Sequence, residues 1–232
     1  MDHKPGTKHI LDIIEDVACH DPHRCFAQVP KGVDVRDGYR TVSMADLRNA
    51  IAKTSEFLQH HIPSANPITF AYAGPQDLRY VFMVLAGAKL GHMAFLPSLR
   101  NSAEAHIRLF DAYDCSALFV AEGSQVRYSL NGLLTARIIR IIETPEMDQF
   151  LSEVVDKRRK RPGRTKKPST GSKATPLVAL QTSGSTGSPK PIIMPQQCLM
   201  AVDAYRRLSD MGLPPVLFSR FRGKLLDDCV TS

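Results

Sequence analysis

The chain has 232 residues, with 30 Lys+Arg against 23 Asp+Glu, a formal net charge of +7, 43% hydrophobic and 23% charged residues. This composition suits one large globular domain, or one and a half, and excludes disorder over the whole length. The five cysteines include no C-x-x-C pair, the start is polar, and no run approaches the ~18 apolar residues of a membrane span. A cytoplasmic protein without a disulfide framework is therefore expected.

Ile10, Leu11, Ile13, Ile14 and Val17 recur at helical spacing, and Ser43 precedes a second amphipathic run carrying Leu47, Ala50, Ile51, Thr54 and Leu58. Pro67–Tyr72 is short and apolar enough for a buried strand. Gln76–Leu90 reads as a helix stopped near Gly91, and Met93–Leu96 as a second strand. Ser102 opens a helix running to Tyr113, followed by strands at Ala117–Val120 and Arg137–Ile142. Alternating strands and helices imply a mainly parallel sheet with flanking helices, an α/β architecture, over residues 1–156.

The positive charge is concentrated. Lys157, Arg158, Arg159, Lys160, Arg161, Arg164, Lys166, Lys167 and Lys173 are nine basic residues with no acidic one among them; removing them from 30 leaves 21 basic against 23 acidic, a net of −2. The stretch also holds prolines, glycines and hydroxyl residues but no large apolar side chain, so residues 157–175 are expected to form a basic linker or insertion. Its five consecutive cations would fit a nuclear-import or nucleic-acid patch, but it interleaves no aromatic residue for base stacking. The composition argues against nucleic acid as the partner.

After this linker, Leu177–Leu180 forms a short apolar strand that leads into Gln181, Thr182, Ser183, Gly184, Ser185, Thr186, Gly187, Ser188, Pro189 and Lys190. Glycines remove side chains that would keep an anion from the backbone N–H groups, hydroxyls add donors, and Lys190 adds a compact positive charge. A flexible Ser/Gly linker has a similar composition, but it need not follow a buried strand or end in Pro-Lys-Pro and an apolar pair. A Walker loop needs G-x-x-x-x-G-K-[ST] with the lysine opening a helix. Here Gly184 and Gly187 are three apart, and Pro191 disfavours helical torsions at Lys190, so the chain should continue extended. The residues suit a polyphosphate held between a strand and an extended return.

At Thr182–Lys190 the chain resembles the phosphate-binding signature of the adenylate-forming superfamily, which includes acyl-CoA synthetases, luciferases and nonribosomal peptide synthetase adenylation domains. The Pro-Lys-Pro-Ile variant at Pro189–Ile192 is similar to the fungal synthetase-like group that includes adenylate-forming reductases. Asp37–Ser43, Gly74–Tyr80, Leu85–Gly91 and Phe95–Ser102 agree with the same resemblance. It implies the N-terminal portion of the large domain of such an enzyme, with residues 176–213 as the phosphate-binding segment and a helix from Gln196 to Met211. It further implies activation of a small-molecule carboxylic acid by Mg2+ and ATP as an acyl-adenylate, then transfer to a phosphopantetheine thiol on a carrier-protein domain or CoA. On this resemblance Thr182, Ser183, Gly184, Ser185, Thr186 and Gly187 bind the nucleotide phosphates, and Lys190 is both a phosphate ligand and the catalytic charge.

The family's adenine, ribose and C-terminal lysine motifs do not occur in the 232 residues, and 214–232 reads as an atypical tail. A truncated form without adenylation activity of its own is expected, as an alternative an inactive remnant serving as a binding or regulatory module. Cys19, His20, Asp21, His23 and Cys25 pack potential metal ligands closely, but their spacing matches no zinc finger and a surface turn is the expected reading. No metal site is assigned. His60 and His61 are expected to cap a helix end, and His92 and His106 to be structural.

Overall fold

A computed structural model describes residues 8–32, 35–121, 139–152, 175–182 and 189–204, the last four as backbone. Helix α1 (Ile10–His20) is followed by an antiparallel ribbon, β1 (Cys25–Pro30) and β2 (Tyr39–Ser43). Ser43 then starts α2 (Met44–His61) with a capping box: its Oγ accepts from the Asp46 N–H at 3.2 Å, and the Asp46 carboxylate accepts from the Ser43 N–H at 2.9 Å. Strand β3 (Thr69–Ala73) leads to α3 (Arg79–Leu90), which ends on Gly91 at φ +80°, a conformation that favours glycine. Strand β4 (Met93–Phe95) leads to α4 (Ala103–Ala112), capped by the Ser102 hydroxyl on the Ala105 N–H. Then come β5 (Cys115–Ala121), β6 (Arg140–Thr144), the short α5 (Met147–Leu151), β7 (Pro176–Gln181), β8 (Pro191–Pro195) and α6 (Gln196–Ala204).

Six strands form one sheet in the order β6-β5-β3-β4-β7-β8. The first five are mutually parallel, and β8 returns antiparallel to β7. Side chains alternate across the sheet. Phe70 and Tyr72 of β3 face one layer with Leu58 of α2 and Met83 of α3, while Ala71 and Ala73 face the other with Leu109 and Phe110 of α4. Beyond the first layer, α1 packs Ile14 and Ala18 against α2 and α3, together with Phe150 of α5. Because α3 and α4 lie on opposite faces, the chains leaving the neighbouring strands β3 and β4 part to opposite sides at their C-terminal ends, the position at which open α/β sheets generally place a ligand crevice.

The mainly parallel α/β sheet with flanking helices is the expected architecture, and the predicted helices and strands up to β4 and α4 are present. The ribbon β1–β2 goes beyond the sequence reading: its burial alternates along β1, but Pro30 and exposed Phe26 hide the signal. The third helix begins at Arg79 rather than Gln76, because Asp77 folds back to accept from the Arg79 N–H at 2.9 Å and ends the preceding turn. The expected strand at Arg137–Ile142 is found at Arg140–Thr144, with 137 and 138 outside the described residues, as are the basic linker of 157–175 up to 174, the loop 183–188, the end of the helix expected from Gln196 to Met211 beyond Ala204, and the tail 214–232. No helix among the described residues is long and apolar enough to cross a membrane.

Candidate functional site

The strand preceding the Ser/Gly-rich loop is held inside the sheet. Leu177, Val178 and Ala179 of β7 are buried, and β7 pairs in parallel with β4, so Gln181 and Thr182 emerge at the edge where the other parallel strands also end. Strand β8 returns beside it with Leu180 opposite Ile192 and Gln181 opposite Pro191. The mouth of the loop is closed by two bonds: the Thr182 N–H donates to the Lys190 carbonyl at 3.0 Å, and the Lys190 N–H donates to Thr182 Oγ1 at 3.3 Å. The two terminal residues of the sequence motif that are described are thereby brought side by side. Ser183, Gly184, Ser185, Thr186 and Gly187 lie outside the described residues.

Lys190 is exposed, and among the described residues no carboxylate forms an ion pair with it. The expectation that Pro191 turns the chain away from a helix is met by β8, which begins at that residue. This geometry separates the site from a Walker loop, in which the lysine would open a helix.

Three neighbouring features were not singled out as functional from the sequence. Asn101, in the connection from β4 to α4, exchanges two amide bonds with Gln181: its Nδ2 donates to Gln181 Oε1 at 2.7 Å, and Gln181 Nε2 donates to Asn101 Oδ1 at 2.8 Å. Tyr113, just beyond α4, donates from its hydroxyl to the Leu180 carbonyl and accepts from the Ile192 N–H at 2.7 Å. Burial raises its phenol above the ordinary value of 10, opposed by the Ile192 backbone bond, so it stays protonated at neutral pH. Across the crevice, buried Arg79 clasps Asp77 with bonds of 2.6, 3.0 and 3.1 Å and donates to the Pro145 carbonyl at 3.1 Å, tying the start of α3 to the end of β6. Burial, the largest single influence, opposes the Arg79 charge, but the hydrogen bond to Asp77 together with Tyr72, the Asp77 charge and Glu146 raises the guanidinium value on balance. The signal in sequence was thin: a tyrosine after a helix and an amide in a turn acquire roles only when distant strands arrive beside them.

At the end of β3, a Cβ added at Gly74 would lie 2.4 Å from the Tyr72 hydroxyl and 2.9 Å from Ala121 Cβ, so the backbone passes there too closely for any side chain. Tyr80 donates to the Gly74 carbonyl at 3.0 Å, which fixes this turn at the crevice rim. The remaining sequence candidates are structural. His106 is fully buried and donates from Nε2 to the Ser98 carbonyl at 2.9 Å, and His92 is buried at the end of α3. His61 meets the Phe57 carbonyl through Nδ1 at 2.9 Å, while neighbouring His60 is exposed. Asp21 and His23 lie in the exposed turn between α1 and β1, and no group of three or more metal-ligating side chains occurs among the described residues. Cys115 is a buried thiol pushed up to about 12, held protonated and out of reach of solvent.

Comparison with known proteins places this geometry in a family. The sequence matches the family described as "AMP-binding enzyme" over residues 21–213. It is 33% identical over 224 residues to a carboxylic acid reductase of Neurospora crassa, covering 95% of this chain and 20% of the reductase. It is 28% identical over 214 residues to an isocyanide synthase-NRPS hybrid, crmA, of Aspergillus fumigatus, covering 90% of this chain and 14% of the hybrid. The chain thus spans about a fifth or less of the length of these relatives. The fold is shared with PA1221, described as an NRPS protein containing adenylation and PCP domains, at a TM-score of 0.56 and 16% identity over 84% of this chain and 33% of that one. With the family match extending from before the first ribbon to past α6, the chain belongs to the AMP-binding enzyme family.

Proposed function

We propose that this chain is the phosphate-binding part of an adenylate-forming enzyme, which activates a carboxylic acid with ATP as an acyl-adenylate and passes the acyl group to a phosphopantetheine thiol. The observation that carries this reading is the hairpin mouth, where Thr182 and Lys190 meet at the C-terminal edge of a parallel sheet, next to the crevice between β3 and β4. On this reading Thr182, Ser183, Gly184, Ser185, Thr186 and Gly187 hold the nucleotide's phosphates, and Lys190 balances the charge that moves onto pyrophosphate as it leaves. The contribution is positional and electrostatic, from donors fixed before the substrate arrives.

The donor set fits this substrate. It offers backbone N–H groups, hydroxyls and the Lys190 ammonium, all complementary to phosphate oxygens. Mg2+ bound with ATP takes oxygen ligands and keeps several waters, so it needs no dedicated cluster of protein carboxylates. A carrier-protein domain as acyl acceptor is supported by PA1221, described as containing adenylation and PCP domains, and a carboxylic acid as substrate by the likeness to a carboxylic acid reductase. On this reading the chain works in the reducing, ATP-containing cytoplasm, where the four described cysteines remain thiols.

Calorimetric titration of the 232-residue chain with MgATP tests the proposal. Saturable binding is expected, weakened roughly tenfold or more in Lys190→Ala, because a charge-assisted contact is lost while the fold is untouched. Binding that is absent, or equal in the variant, would overturn it.

A further inference from the structure

The hairpin that carries the site is anchored by polar contacts from one short piece of chain, residues 101–113. Tyr113 is 5% exposed and its ring packs against Phe95 with centroids 4.8 Å apart. Its single oxygen touches both strands, as donor to Leu180 on β7 and as acceptor from Ile192 on β8, at a pair two residues short of Thr182 and Lys190. One residue closer to the mouth, the Asn101–Gln181 amide pair holds β7 again. Strand β4, from which this piece of chain departs, donates the Leu96 N–H to the Ala179 carbonyl at 3.1 Å. The described residues of the site therefore hang from the end of β4 and from α4.

An antiparallel pair at the edge of a sheet twists more readily than strands held on both sides, and among the described residues β8 is the edge strand. Twisting the pair would change the distance and angle between Thr182 and Lys190. It would also break the Tyr113 bonds to both strands at once and leave a buried hydroxyl without partners.

We propose that Tyr113 and Asn101 are positioning residues that set the polyphosphate affinity of the site by fixing Thr182 relative to Lys190, without touching the ligand. This inference rests on the polyphosphate reading above. A purely packing role for Tyr113 would survive Tyr113→Phe, which keeps the ring against Phe95 and removes only the oxygen.

The test uses the 232-residue chain as wild type, Tyr113→Phe and Asn101→Ala, at a temperature where circular dichroism shows all three folded. MgATP and inorganic tripolyphosphate are titrated calorimetrically, and amide hydrogen exchange is followed at Thr182, Lys190 and Ile192. Tyr113→Phe should weaken both ligands about tenfold and Asn101→Ala about threefold, with faster exchange at Ile192 and Lys190 and unchanged exchange in α2 and β3. Affinities within about twofold of wild type, despite faster hairpin exchange, would overturn the positioning role. Unchanged exchange in Tyr113→Phe would overturn the strap itself, whatever the wild type binds. A wild type that binds neither ligand would overturn the polyphosphate reading, and with it the ligand half of this proposal.

Discussion

At the centre of the sheet, β3 and β5 run between two helical layers, and Phe70, Tyr72, Leu118 and Phe119 are fully buried there. At its edge, β8 leaves Ile192 and Ile193 at 41% and 50% exposure and is fastened through Tyr113. The centre is stabilised by apolar burial, which is strong but indifferent to small rotations. The edge depends on a few directional bonds, which contribute less free energy but specify geometry closely. Stability and site geometry therefore reside in different parts of one sheet, and each can be perturbed with little effect on the other.

The largest effect is expected at the centre. Phe119 packs edge-on against Phe70 and Phe57, so Phe119→Ala should cost about 3–5 kcal/mol and lower Tm by roughly 10 °C. Urea and thermal unfolding would show it. Hairpin amides exchanging as fast as core amides in that variant would break the division between the two regions.

Acidification should act next, through two buried histidines. Burial holds the His92 and His106 imidazoles below the ordinary 6.5, although the Ser98 bond partly opposes this at His106. The unfolded chain then binds protons more readily than the folded one. Stability should be complete above pH ~6.5 and decline as pH falls through that value towards the lower folded ones. Urea midpoints between pH ~7.5 and ~5.5 should record the loss, and His106→Gln, which can still donate to the Ser98 carbonyl, should flatten the slope.

Removing the α2 cap with Ser43→Ala should cost about 1 kcal/mol in the same unfolding experiments and leave ligand affinity unchanged. The smallest effect should come from the exposed edge. Ile193→Lys should change stability by less than about 0.5 kcal/mol while reducing self-association in size-exclusion chromatography, since a charge on an edge strand discourages strand addition. A stability loss comparable to that of Phe119→Ala would show that the edge shares the core's energetics after all.

Much of this architecture was legible because it is written in local rules. Ser43 announces the start of α2 and the apolar spacing of Leu47, Ile51 and Leu58 the inward face of that helix, and Gly91 announces the end of α3. The extended return at Pro191 depends on residue type and neighbour sterics, and it too could be read directly. The ribbon β1–β2 was less visible, because its half-exposed strands and Pro30 resemble a loop.

By itself, the sequence determined most of the helices and sheet strands, though not the ribbon β1–β2, as well as which helix faces are apolar and that a glycine- and hydroxyl-rich loop ends in a lysine. These follow from torsional limits and side-chain periodicity within a few residues of chain. Only the tertiary structure decided that β7 lies beside β4, that Asn101 meets Gln181 across 80 positions, and that one phenol oxygen joins both strands of the hairpin. Those contacts depend on strand order and on which face each helix covers, and the free energy that selects them comes from burying the whole sheet.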